Sequence, residues 1–144
     1  MTTTKGKILG IDFGISSIGL AICDETNGIV FGRGKVSAKK GLQKACEEIN
    51  KIINFERVDT VVIGLPLSQN EQESPQTAKV KRFAELLLKK AKNIQLKFQD
   101  ESFSTFEANQ NLDTLQVTNL GRKLHEDELA ASIILERYLK GKAI

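Results

Sequence analysis

The chain has 144 residues, of which 40% are hydrophobic and 27% charged, a balance typical of a globular domain that points to neither disorder nor a fibrous class. Lys and Arg number 21 against 18 Asp and Glu, for a net charge of +3, which suits a polyanionic partner without approaching a histone-like excess. No apolar run approaches the ~20 residues of a membrane span, and residues 1–6 lack the apolar stretch of a secretory signal, so a cytoplasmic protein without a membrane partner is expected.

One domain spanning residues 1–144 is the working organisation, because this length buries a sizeable core without disulfides or structural metal. Cys23 and Cys46 show no CxxC spacing and no nearby histidine cluster, which argues against zinc and thioredoxin-like chemistry and leaves two reduced thiols.

In chain order, Lys7–Gly14 (KILGIDFG) is apolar and ends at a glycine, and Ser17–Asp24 (SIGLAICD) resumes the pattern after a tight connection, which predicts a hairpin. Asn27-Gly28 favours a type I′ turn into a third strand at Ile29–Val36. Leu42, Ala45, Cys46, Ile49, Ile52 and Ile53 recur at spacings of three and four and predict a helix over Leu42–Phe55. Val58–Leu65 (VDTVVIGL) is a nearly continuous apolar run, as expected of a parallel strand covered on both faces, and Pro66 stops it.

Ser68–Ser74 reads as a polar loop, and Pro75 fits the first turn of a helix running to about Lys92, followed by an alternating strand over Ile94–Gln99. A short helix from about Thr105, a polar loop over Thr118–His125 and a last helix from about Asp127 to Leu139 close the chain. Three meandering strands followed by alternating helices and strands predict an α/β fold, with a mixed sheet and helices on its faces.

Asp12 is the sharpest chemical signal. A carboxylate inside the apolar run ILGIDFG is costly to bury unless paired, hydrogen-bonded or bound to a cation. The competing reading makes it a cap for the turn into Ser16 and Ser17; Gly14 beside it permits either a tight turn or the close approach of a phosphate. Asp100 and Glu101 stand where a strand of an α/β sheet ends, the place where such sheets bind ligands, although polar strand ends are common and Ser104, Thr105 and Glu107 also fit an ordinary helix start.

Asp127 shares a helical face with Ala130, Ala131, Ile134 and Tyr138, which turns it toward the sheet; an N-cap role competes, and Glu126 and Glu128 are rivals for the same position. Three converging carboxylates repel one another unless divalent cations neutralise them, and oxygen-only ligands suit Mg²⁺ or Mn²⁺. Two such ions ~3.5–4 Å apart are the arrangement that supports phosphodiester hydrolysis. His125 reads as a loop histidine without a role, and no GxSxG, P-loop or GxGxxG occurs.

These residues together resemble the bacterial YqgF family, also called RuvX, of pre-16S ribosomal RNA nucleases related to Holliday junction resolvases. The resemblance spans nearly the whole chain. It rests on Ile11-Asp12-Phe13-Gly14 with Ser17-Ile18-Gly19-Leu20-Ala21, on Val62-Ile63-Gly64-Leu65-Pro66-Leu67, on Asp100-Glu101 with Ser104-Thr105 and Glu107-Ala108, and on Asp127 with Ala130-Ala131 and Ile134-Leu135.

It implies a ribonuclease-H-like fold with a five-stranded mixed sheet, metal ligands at Asp12, Glu101 and Asp127, and a nucleic-acid substrate. The implied activity is endonucleolytic processing of the 5′ end of pre-16S ribosomal RNA. The alternatives are cleavage of branched DNA as a homodimer, or noncatalytic RNA binding in ribosome assembly. The family usually has a basic residue where Ser16 stands and an arginine where Ser102 stands, so substrate contacts are expected instead from Arg122, Lys123, Ser104 and Thr105.

Overall fold

In a computed structural model, the protein is described over residues 6–14, 16–24, 28–65, 75–100 and 126–142, with the side chains of Glu126, Asp127 and Lys142 outside that description. Five strands form one sheet: β1 (Lys7–Phe13), β2 (Ser17–Asp24), β3 (Val30–Ser37), β4 (Val58–Leu65) and β5 (Gln95–Asp100), in the order β3-β2-β1-β4-β5. β1 pairs antiparallel with β2 and β2 with β3, whereas β4 runs parallel to both β1 and β5. The predicted meander and the predicted βαβ unit are both present.

Local chemistry accounts for the connections. At Gly14 a Cβ would lie 2.5 Å from the Ser17 carbonyl oxygen, so the β1–β2 turn closes over a residue with no side chain. Gly28 adopts φ 68° and donates its N–H to the Asp24 carbonyl at 2.9 Å, while Asn27 of the expected turn lies outside the described residues. Helix α1 (Leu42–Glu56) ends at Arg57, which takes a left-handed conformation with φ 60°, donates its N–H to the Ile53 carbonyl and passes the chain straight into β4.

Helices α1 and α2 (Pro75–Lys90) cover one face of the sheet and α3 (Glu126–Lys142) the other. The first face is sealed by Leu9, Ile11 and Phe13 of β1, Ile18, Leu20 and Ile22 of β2, and Val61, Ile63 and Leu65 of β4, packed on Ile49, Val80, Phe83 and Leu87. Phe13 and Phe83 stack at 4.9 Å between ring centroids. The alternate residues Ile8, Ala21, Cys23 and Val62 meet Ala131, Ile134, Leu135 and Tyr138 of α3. Burial along α3 runs unbroken from Glu128 to Leu135, more than the single stripe its spacing predicted, because LAASIIL is apolar on nearly every side.

Both cysteines are free and buried, as expected of reduced thiols. Burial pushes the Cys46 thiol up to about 11, against a smaller opposing pull from Lys90, so it stays protonated near neutrality. No helix among the described residues is long and apolar enough to cross a membrane.

Candidate nuclease site

Asp12 is the sixth residue of β1 and lies between Ile11 and Phe13, whose side chains enter the α1/α2 core. Strand alternation therefore turns Asp12 to the opposite face, the one α3 covers. It is half-buried and has interactions of its own. Its partner on β2 is Gly19. On β4 the register Ile11–Ile63 leads one step further to Gly64, itself paired with Gln99 of β5. A glycine thus flanks the carboxylate on each neighbouring strand, so no cross-strand side chain crowds it.

Helix α3 is drawn onto this face by small residues. A Cβ on Gly10 would lie 2.5 Å from Leu135 Cγ and 3.0 Å from the Ala131 carbonyl oxygen, so glycine at this position is what admits the helix. Position 127 lies four residues before Ala131, one turn nearer the helix start and on the same helical face. The start of this helix lies over β3, where Glu128 meets Gly34.

Glu128 has a different task from its neighbour. It is buried, 1% exposed, and its carboxylate accepts the N–H of Gly34 at 2.6 Å. The β2–β3 register shifts between Gly19 and Ala21, and Gly34, at φ 83°, sits at that irregularity. A bulge removes a backbone N–H from the ladder, and the carboxylate of α3 satisfies it. Of the three acidic residues at the helix start, Glu128 is thereby an anchor between α3 and β3. The glycines of FGRG in β3 were the signal that a bulge needed such a partner.

Glu101, the substrate-contact candidates Ser104, Thr105, Arg122 and Lys123, and the expected short helix from Thr105 lie outside the described residues, as does the side chain of Asp127. Among the described residues no three His, Cys, Asp or Glu side chains cluster as a metal site. Asp12 is the one proposed ligand whose side-chain environment is described, and its oxygen donor in an uncrowded, glycine-flanked position suits a hard divalent cation.

The sequence reading passed over Lys35, which pairs with Gly19 and so shares the row and the face of Asp12. With Ser16, Ser17, Ser37 and Lys39 it lines an open depression of about 450 Å³.

Residues 6–141 match the family described as RuvX, Holliday junction resolvase. The chain belongs to the RuvX family. A Carboxydothermus hydrogenoformans protein provisionally named a pre-16S rRNA nuclease is 40% identical over 137 residues, 95% of this chain and 98% of its own length. One of the same name from Clostridioides difficile is 38% identical over 95% of this chain and 96% of its own.

Among solved structures, Thermus thermophilus RuvC in complex with a Holliday junction substrate aligns with TM-score 0.67 at 15% identity, covering 95% of this chain and 96% of that one. The large terminase nuclease of the thermophilic phage G20c aligns with TM-score 0.52 at 12% identity, covering 96% and 89%. At those identities the likeness concerns the fold, and it places this RuvX chain among ribonuclease-H-like α/β proteins, as the resemblance implied.

Proposed function

We propose that the protein is a divalent-metal-dependent endonuclease that hydrolyses phosphodiester bonds and trims the 5′ end of precursor 16S ribosomal RNA in the cytoplasm. The observation that carries this reading is Asp12, a half-buried carboxylate on the α3 face of β1 with glycine on each adjacent strand. The nuclease names of relatives at 36–40% identity support the reaction class.

Asp12, Glu101 and Asp127 would hold Mg²⁺ or Mn²⁺. The chemistry such an ion would supply is activation of a water for attack and relief of charge on the leaving oxygen. The chain's own part is to hold Asp12 on a rigid strand and to fix the start of α3 against the sheet through the Glu128–Gly34 hydrogen bond. The Gly10 contact keeps that helix close.

A second reading, cleavage of branched DNA, is favoured by the resolvase description of the family. It requires a dimer, since two symmetric strands must be cut. The decisive experiment offers a labelled precursor 16S fragment and a four-way DNA junction to the wild type and to Asp12→Asn, each with Mg²⁺ or Mn²⁺. The expected result is metal-dependent cleavage of the RNA that falls at least ~100-fold in Asp12→Asn, of the order seen when one charge-stabilising group is lost from an active site. Preferential junction cutting by a species of dimeric mass would select the second reading. Binding without cleavage of either would leave a noncatalytic RNA-binding assembly factor.

A further inference from the structure

The depression at the open edge of β3 is a place where positive charge, hydroxyls and the proposed site meet. Ser17 pairs with Ser37 and Gly19 with Lys35, so Ser17, Gly19, Lys35 and Ser37 share the sheet face of Asp12. Two strand spacings of ~4.8 Å separate the backbones of Asp12 and Lys35, about 10 Å, or roughly three nucleotides of a stacked strand at ~3.4 Å each. Among the described residues β3 is an edge strand of the sheet.

The walls of the depression are held in place. The Ser16 carbonyl accepts the Ala38 N–H at 2.9 Å, tying the start of β2 to the end of β3. Ser37 Oγ accepts the Lys39 N–H at 3.2 Å. Lys35 and Lys39 are exposed, and among the described residues they have no carboxylate partner and no acidic residue lines the depression. Two other lysines do face carboxylates, Lys7 with Glu56 at 2.9 Å and Lys90 with Glu47 at 3.8 Å.

We propose that Lys35 and Lys39, with the hydroxyls of Ser17 and Ser37, form a track for the sugar–phosphate backbone of the strand flanking the bond cut at Asp12. The track rests on the nuclease reading and specifies how that site grips its substrate. Unpaired ammonium groups neutralise phosphates by releasing condensed counterions, which writes their number into the salt dependence of binding. Serine hydroxyls donate to phosphate oxygens and fix register.

The test measures binding of the precursor RNA fragment and of the DNA junction as a function of salt. The Asp12→Asn protein, which leaves the strands intact, is compared with the same protein also carrying Lys35→Ala and Lys39→Ala. A charge-matched control carries Lys44→Ala and Lys51→Ala, two exposed positions on α1 across the sheet. The expected result is at least ~10-fold weaker binding at low salt and a slope of log K against log salt shallower by about 1.4–1.8, which is two phosphates at ~0.7–0.9 each. The α1 control should keep the parent slope, and unchanged thermal unfolding would establish that every variant is folded.

An unchanged slope in the Lys35/Lys39 variant overturns the track, as does an equal loss in the α1 control or no binding by the parent protein. If the slope changes as expected but the wild type cuts neither substrate with either metal, the nuclease reading falls and the track stands. The nucleic acid whose slope responds identifies RNA or branched DNA as the source of the bound backbone.

Discussion

The two faces of the sheet are built from the same five strands by opposite rules. Under α1 and α2 the strands present Leu, Ile, Val and Phe, and the helices stand off on bulky side chains. Under α3 the same strands present Ile8, Cys23 and Val62 to a smaller apolar core, and Gly10, Gly19, Ala21 and Gly64 beside Asp12 and Lys35, and the helix comes close enough to be anchored by Glu128. Bulk fills space and excludes water, whereas small residues leave room for charged groups at the sheet surface. One face carries the larger core and the other sets functional groups beside a smaller one, so damage to the two should be separable.

The largest expected effect on stability is at the aliphatic face. Phe83 is fully buried and stacks on Phe13. Truncating it to alanine removes its transfer energy and opens a cavity, a loss of about 3–5 kcal/mol. Denaturant unfolding should register that loss, while cleavage per folded molecule at low temperature stays near wild type. A disproportionate loss of cleavage would show that the two faces are not independent.

Gly10→Ala is the reciprocal change. The new Cβ would sit 2.5 Å from Leu135 Cγ and 3.0 Å from the Ala131 carbonyl oxygen, and the backbone oxygen cannot step aside as the end of a side chain can. Overpacking of this kind costs about 1–3 kcal/mol, less than Phe83→Ala. Cleavage should nevertheless fall further than in Phe83→Ala, because the displaced helix carries Asp127. Equal activity loss in the two variants would remove the distinction between the faces.

Glu128→Ala is smaller again. It takes from the half-buried Gly34 N–H its carboxylate acceptor, at about 1–2 kcal/mol. Glu128→Gln keeps an acceptor oxygen and should recover most of that in thermal unfolding. If both variants lose activity as Asp12→Asn does, Glu128 belongs to the catalytic set and the anchor role assigned to it is wrong.

What could be read in the sequence follows the same division. The aliphatic face announces itself through periodicity: the i, i+3, i+4 pattern of α1 and the unbroken run of β4 need no tertiary information to be recognised. Asp12 is legible for the opposite reason, as a carboxylate that violates an apolar run. Cross-strand relations are not legible: Lys35 becomes a neighbour of Asp12 only through the register of two strand pairs, and that register contains a bulge.

The choice among Glu126, Asp127 and Glu128 stayed open because it depends on where the Gly34 N–H falls. Arg57 ends α1 in a left-handed conformation where the usual stop signal, a glycine, is missing, since the turn into β4 imposes it. The expected strand at Ile29–Val36 is shifted one residue, to Val30–Ser37, by the Ser17–Ser37 pairing at its end.

The smallest effect lies away from both cores, at the start of β1. There Glu56, the last residue of α1, receives Lys7 of β1 at 2.9 Å and Arg33 of β3 at 2.8 Å, which joins three elements by charge. The hydrogen bond from Lys7 and then that from Arg33 hold the Glu56 carboxyl below its ordinary range, outweighing the burial that opposes them. A carboxyl with a lower pKa folded than unfolded stabilises the protein above the unfolded value and loses that contribution as pH falls through the folded one.

The wild type should therefore exceed Glu56→Gln in urea midpoint at pH 7, by less than about 1 kcal/mol because Lys7 and Arg33 are partly solvated. The gap should close as pH falls below about 4.5, the unfolded carboxyl value. Nucleic-acid binding at neutral pH should be the same in both proteins, since this clamp sits at the end of β1 opposite Asp12. A binding change in Glu56→Gln would mean that the register of β3, and with it the position of Lys35, depends on the Arg33–Glu56 pair as well as on the bulge held by Glu128.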